Sequence, residues 1–213
     1  KDEHTFGYQT LERKISIPKR NKSIVKEFKD IMTNGYTDEY GKTHLPPKNG
    51  KTIVFAVNQR HAITLAQYFD EEFRDEAPDA TTRYADFVVS DLNVEDSQEA
   101  KMKIKKFKEE EFPKILVSVD MIDTGFDFSD ITKLIFARHI KSNIKYRQMR
   151  GRGTRPAPHL NKKIFWMFDF VGNFRLHGDK EISEGGLVTT PGKRKTNPNS
   201  KFIEIDVDDW IDP

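Results

Sequence analysis

The chain has no cysteine. Disulfides and thiolate metal sites are excluded, which suits a reducing compartment and gives the expectation of a cytoplasmic protein. No apolar run approaches the roughly 18–20 residues that a membrane-spanning helix needs. The opening Lys1-Asp2-Glu3-His4 lacks the apolar stretch of a secretory leader, so no membrane partner is expected and the chain reads as a piece of a longer one. An excess of one charge is missing too: 36 Lys and Arg face 34 Asp and Glu, a net charge of +2. Without a global basic field, contact with nucleic acid is expected only from a local patch. A phosphate-cradling loop is absent as well. Gly-Lys-Thr occurs at Gly41-Lys42-Thr43 and Gly50-Lys51-Thr52, but the glycine required five positions earlier is replaced by Tyr36 and Leu45. No apolar run ends in the Asp-Glu pair that would hold Mg²⁺, and the six histidines have no metal-binding spacing.

What remains is 213 residues, 36% hydrophobic and 33% charged, enough for one large domain or one domain with extensions. Ile24, Val25, Phe28, Ile31 and Met32 form an apolar stripe, predicting a helix capped by Ser23 and stopped at Asn34-Gly35. Residues 35–50 read as a loop. Strands are predicted at 52–57, 84–90, 115–119, 134–137 and 163–169. Between them lie a helix with the stripe Ala62, Leu65, Ala66, Phe69 and Phe73, and a helix capped by Asp96 or Ser97. The second turns Ala100, Ile104 and Phe107 inward and Lys101, Lys103, Lys105, Lys106 and Lys108 outward to solvent. A short helical segment ends at Gly151. Strands alternating with helices predict an α/β fold, a parallel central sheet with helices on both faces, with ligands gathering beyond the strand ends at Asn58, Asp91, Asp120 and Asp169. Residues 1–50 are expected to be a connector and N-terminal helix, 51–182 the main domain, and 183–213 a flexible loop and docking segment with a last strand around Phe202, Ile203 and Ile205.

One element stands out chemically: Gln148-x-x-Gly151-Arg152-x-x-Arg155. Gly151 and Gly153 let the backbone turn tightly and approach a ligand. A helical turn would set Arg152 and Arg155 on one face, where two guanidiniums repel unless an anion lies between them. A γ-phosphate is such an anion, and arginine matches it bidentately. The plain alternative is a helix end whose cations suit the dipole.

Two further stretches precede it in order: Thr52 to Val57 followed by Asn58, Gln59 and Arg60, then Asp120-(x)4-Gly125-x-Asp127. Here the chain resembles the second, C-terminal RecA-like motor domain of superfamily 2 helicases and translocases. Residues 52–60 resemble motif IV, 115–127 motif V and 146–155 motif VI. The phrases LERKISIP, VDMIDTGFD, LIFARHIKSNIKYRQMRGRGTR and FDFVGNF are most similar to the restriction (motor) subunit of type I restriction–modification enzymes.

The resemblance implies a RecA-like three-layer fold and one motor domain of an ATP-dependent double-stranded DNA translocase. It implies ATP with Mg²⁺, bound mainly by an N-terminal RecA-like domain of the same parent chain, and modification and specificity subunits as further partners. Arg152 and Arg155 would reach the γ-phosphate and Gln148 would support them. Gly125, Asp127 and Gly151 would lie beside the nucleotide, Asp127 near its ribose. Asn58, Arg60, Ser118, Val119 and Asp120 would face DNA. Many relatives carry a threonine hydroxyl where Val119 stands, so contact there falls to main-chain N–H, with Ser118 and Thr124 as alternative hydroxyls. The chain by itself is expected to be inactive toward ATP. Rival expectations are a type III restriction subunit, another superfamily 2 helicase, or a non-catalytic module that docks DNA or a partner.

Overall fold

The computed structural model describes residues 18–37, 41–89, 94–119, 128–177 and 202–206. Its centre is a six-stranded sheet in the order β4-β5-β3-β6-β7-β8: β3 (Lys51–Phe55), β4 (Ala85–Val88), β5 (Ile115–Ser118), β6 (Ile131–Phe136), β7 (Ile164–Asp169) and β8 (Phe202–Asp206). β3 to β7 run parallel, whereas β8 closes the sheet antiparallel to β7, with Phe202 opposite Phe168. β3, β5 and β6 are buried along their whole length, the mark of strands covered on both faces.

Alternation sorts their side chains between two cores. Ile53, Phe55, Leu116, Leu134, Phe136, Phe165 and Met167 face α3 (Val94–Glu109) and α4 (Asn143–Arg150), which contribute Phe107, Tyr146 and Met149. Val54, Val117, Ile135, Trp166 and Phe168 face α1 (Pro18–Asn34) and α2 (Gln59–Glu72). Phe28 of α1 keys this second core, its ring edge-on to Phe69 at 5.8 Å and to Phe168 at 5.0 Å. A four-residue helix, α5 (Asn173–Leu176), follows β7.

Several local expectations change. α1 begins at Pro18, where a proline sacrifices no helical hydrogen bond. Ser23 is therefore inside the helix, its Oγ donating to the Lys19 carbonyl at 2.9 Å, and caps nothing. α3 likewise begins at Val94, ahead of both Asp96 and Ser97. Residues 35–50 contain a two-stranded ribbon, β1 (Tyr36–Thr37) against β2 (Thr43–His44). Gly35, at φ +76°, ends α1 and starts that ribbon, and its N–H returns to the Ile31 carbonyl at 2.9 Å.

The amino ends of the central strands are closed by buried lysines. Lys51 donates from Nζ to the carbonyls of Glu110, Glu111 and Pro113 at 2.7, 2.8 and 2.7 Å. Lys133 donates to the carbonyls of Pro47 and Asn49 and to Thr132 Oγ1 at 2.7, 3.1 and 2.9 Å. Burial pulls their ammonium groups down to about 8 and about 7. The lysine of Gly50-Lys51-Thr52 is thus committed to three loop carbonyls at the amino end of a central strand, the physical reason it is not a phosphate lysine.

Candidate functional site

The carboxyl ends of β3 and β5 lie side by side, with Phe55 in register with Ser118 and the Ala56 N–H donating to the Ser118 carbonyl at 2.8 Å. Asn58, Arg60, Ser118 and Val119 are therefore brought together on one edge. Asn58 takes an extended backbone and caps α2, its Oδ1 accepting from the His61 N–H at 2.8 Å. Arg60, one residue into the helix past Gln59, is exposed. Ser118 is 1% exposed, its Oγ enclosed on the α3/α4 side of the sheet. Val119 turns the other way and packs against the second core, leaving only its main chain to reach outward. Asp120, Thr124, Gly125 and Asp127 lie outside the described residues. Asp169, also expected at this edge, is committed elsewhere: its carboxylate accepts from the N–H groups of Val171, Gly172 and Phe174 at 3.1, 3.0 and 2.8 Å, while burial pushes its pKa up.

His61 is the residue behind this edge that sequence reasoning passed over. Its Nδ1 accepts from the Val57 N–H at 3.2 Å, which places the proton on Nε2, 3.2 Å from Asn21 Oδ1 of α1. The ring thus ties the β3–α2 turn to α1. Burial, with a smaller push from Arg20, lowers its pKa from 6.5 to about 4. The unfolded chain therefore binds the extra proton first, so the contribution is intact above pH 6.5 and is lost as pH falls toward 4. Unfolding free energy is expected to drop by about 2 kcal/mol between pH 7 and pH 5 through this group. Urea midpoints at the two pH values check it, since His61→Gln should remove most of that difference.

The arginine element occupies the opposite end of the sheet. α4 starts at the Ser142 cap, whose Oγ accepts from the Lys145 N–H at 3.3 Å, and runs back from the carboxyl ends of the strands toward their amino ends. Gln148 is exposed in its last turn. The chain then tightens: Gly151 N–H reaches the Arg147 carbonyl at 2.8 Å, but Arg152 and Gly153 reach only Met149 and Arg150, at 3.2 and 3.0 Å. α4 thus ends before either arginine, so the two do not share a helical face; Arg152 sits within the turn and Arg155 beyond it. Both are half-buried. Gly153 is pressed onto β7, where a Cβ would stand 2.2 Å from Phe165 Cδ2.

Two lysines join this region without having been singled out as site residues. Lys108, in the last turn of α3, was expected among solvated lysines. It is half-buried, and its ammonium is held below its ordinary pKa by burial and then by the charge of Arg155. Lys103 also leaves the solvated row, its Nζ 3.9 Å from the centre of the Phe87 ring and 3.1 Å from Glu99. Lys162, just ahead of β7, donates to the carbonyls of Arg155 and Ser129 at 2.7 and 2.9 Å. Lys108 of α3 and Arg155 of the turn after α4 are thus within electrostatic reach of one another.

The helicase conserved C-terminal domain model matches residues 40–157, from just ahead of β2 through the arginine turn. The chain belongs to that family. As a helicase C-terminal domain it is 31% identical over 170 residues to the type I restriction enzyme EcoKI endonuclease subunit of Escherichia coli K12, covering 80% of this chain. It is 25% identical over 186 residues to the EcoAI endonuclease subunit of Escherichia coli, covering 85% of this chain. The domain spans only 13% and 22% of those two proteins. Its fold matches the fragment structure assigned to an HsdR subunit of a type I restriction enzyme from Vibrio vulnificus YJ016, with a TM-score of 0.62 and 24% identity over 77% of this chain and 29% of that one. The RecA-like expectation of a parallel sheet between helical layers therefore holds, with β8 as an antiparallel addition.

Proposed function

We propose that this domain is the C-terminal half of an ATP-dependent double-stranded DNA motor in a type I restriction enzyme, completing an ATP site held mainly by an N-terminal motor domain. The observation that carries the reading is the arginine turn that follows α4, braced by Phe165 and by Lys162. Arg152 and Arg155 donate N–H groups to the phosphate oxygens that gain charge during transfer, and Gln148 supports them. Gly151 lets the backbone come close, while Gly125 and Asp127 are assigned to the nucleotide side. In this reading Mg²⁺ belongs to the other motor domain, because the phosphate loop and the Asp-Glu pair are missing from this sequence, and the domain alone is expected to be inactive toward ATP. ATP supplies the phosphoryl group and the free energy for movement.

DNA is assigned to the other edge, at Arg60, Asn58 and Asp120 and at the backbone of Ser118 and Val119. Two ligands at two ends of one rigid sheet suit a motor, because nucleotide-driven closure of one end moves the other. Partners in this reading are the N-terminal motor domain and the modification and specificity subunits, in the cytoplasm where DNA lies.

DNA binding is expected to be weak, blind to sequence and steeply salt-dependent, because a net charge of +2 leaves only local cations to neutralise phosphates. The log of the binding constant falls by about 0.9 per phosphate neutralised for each tenfold rise in salt. Anisotropy titrations with two unrelated duplexes over a salt series test this. A clear preference for one duplex, or binding that survives high salt, counts against a motor that must pass over any sequence.

A further inference from the structure

We infer that Lys162 is a positioning residue for the ATP site: its side chain holds the main chain of Arg155 to the segment that enters β6, so the arginine moves with that segment. The inference rests on the phosphate-contacting role proposed above for Arg155. Lys162 Nζ donates to the Arg155 carbonyl at 2.7 Å and to the Ser129 carbonyl at 2.9 Å, bridging two stretches far apart in sequence. Both acceptors are main-chain atoms, so what is fixed is the path of the backbone on which Arg155 is mounted.

Neighbouring contacts secure the same loop. His159 Nε2 lies 2.8 Å from Asp130 Oδ1, and Asn49 Nδ2 donates to the Leu160 carbonyl at 2.9 Å. Ala157, between Arg155 and His159, is 1% exposed, which anchors the middle of the loop in the core. Of these ties only Lys162 bonds directly to the arginine's own peptide.

Ser129 gives the clasp its second meaning. It lies two residues after Asp127 in sequence, at the end of the stretch that carries Asp120, Gly125 and Asp127. Phe128, next to Ser129, packs edge-on to Phe107 of α3 at 5.9 Å, which seats the segment against the core. A shift of Ser129 is thus passed through one ammonium group to the backbone of Arg155. Two charge-assisted hydrogen bonds are short enough to transmit that shift, whereas a solvated lysine is not. A displacement of about 1 Å at a reacting group can cost on the order of 10²-fold in rate.

The test is made in the full-length protein with saturating duplex DNA. Lys162→Met keeps the aliphatic stem and removes the donors. The expected result is a kcat for ATP lowered about 10- to 100-fold, a KM for ATP within a few-fold of the parent, and partial recovery in Lys162→Arg. The deciding arm places Lys162→Met in an Arg155→Lys background and follows the small residual turnover with enzyme in excess over ATP. If Lys162 acts through Arg155, the second substitution should lower kcat there by less than about 3-fold. Equal losses in both backgrounds, or a Lys162→Met enzyme turning over at the parental rate, overturn the inference while leaving the role of Arg155 standing. An Arg155→Ala enzyme at the parental rate removes the phosphate-contacting role and this inference with it. A thermal melt of each variant separates misfolding from misplacement, since an unfolded variant loses DNA and nucleotide binding together.

Discussion

Replacing Arg152 or Arg155 with alanine in the full-length protein is expected to abolish DNA-stimulated ATP hydrolysis and translocation while leaving the fold intact. Both side chains are only half-buried, and neither belongs to α4, so the helix and the cores do not depend on them. An arginine acting on a transferring phosphoryl group is worth on the order of 10³–10⁵ in rate. A cation that merely suits the end of a helix is worth about 0.3–1 kcal/mol of stability and nothing in turnover. The two readings are therefore far apart, and kcat measured beside a thermal melt decides between them. Lysine at either position should restore little, because it keeps the charge and loses the planar fork.

Gly153→Ala is expected to be nearly as damaging, for a different reason. The new Cβ would meet the Phe165 ring at 2.2 and 2.5 Å, and Phe165 is fully buried in the core beneath α3 and α4. The ring has no room to withdraw, so the turn carrying Arg152 must lift off β7. Overpacking of this kind costs about 1–3 kcal/mol. Displacing the arginines should lower turnover by roughly 10²-fold, beyond anything the stability loss explains. Adding Phe165→Leu makes space and should return part of the activity. A Gly153→Ala protein with the parental melting temperature and kcat would show that the close approach to Phe165 has no bearing on the site.

The sheet was legible because β3, β5 and β6 carry short apolar runs bounded by polar turns, as doubly covered strands do, although β6 starts at Ile131, three residues ahead of the expected run from Leu134. The orientation of β8 was not, since five residues carry no direction until they pair with β7. Ser23 misled because serine is a good cap and an adequate interior residue, and Pro18 was the stronger start signal. The arginine element was legible as chemistry, and the helix end expected at Gly151 lies one residue from the observed Arg150, but the helical turn that would set both arginines on one face does not form. Lys51, Lys108, Lys133 and Lys162 were the least readable. A lysine in a sequence looks solvated, and only the folded chain shows which carbonyls or charges it meets. His61 was hidden likewise, because its partners are a backbone N–H one turn back and Asn21 on α1.

The central claim is that this domain supplies charge to a phosphoryl transfer whose nucleotide is held by another domain. The most direct measurement is single-turnover hydrolysis of pre-bound ATP by the full-length protein and its Arg155→Ala variant, with saturating DNA and a parallel measurement of ATP affinity. The expected result is an affinity changed by no more than a few-fold and a chemical step slowed by on the order of 10³ or more. A variant that cleaves bound ATP at the parental rate would contradict the account.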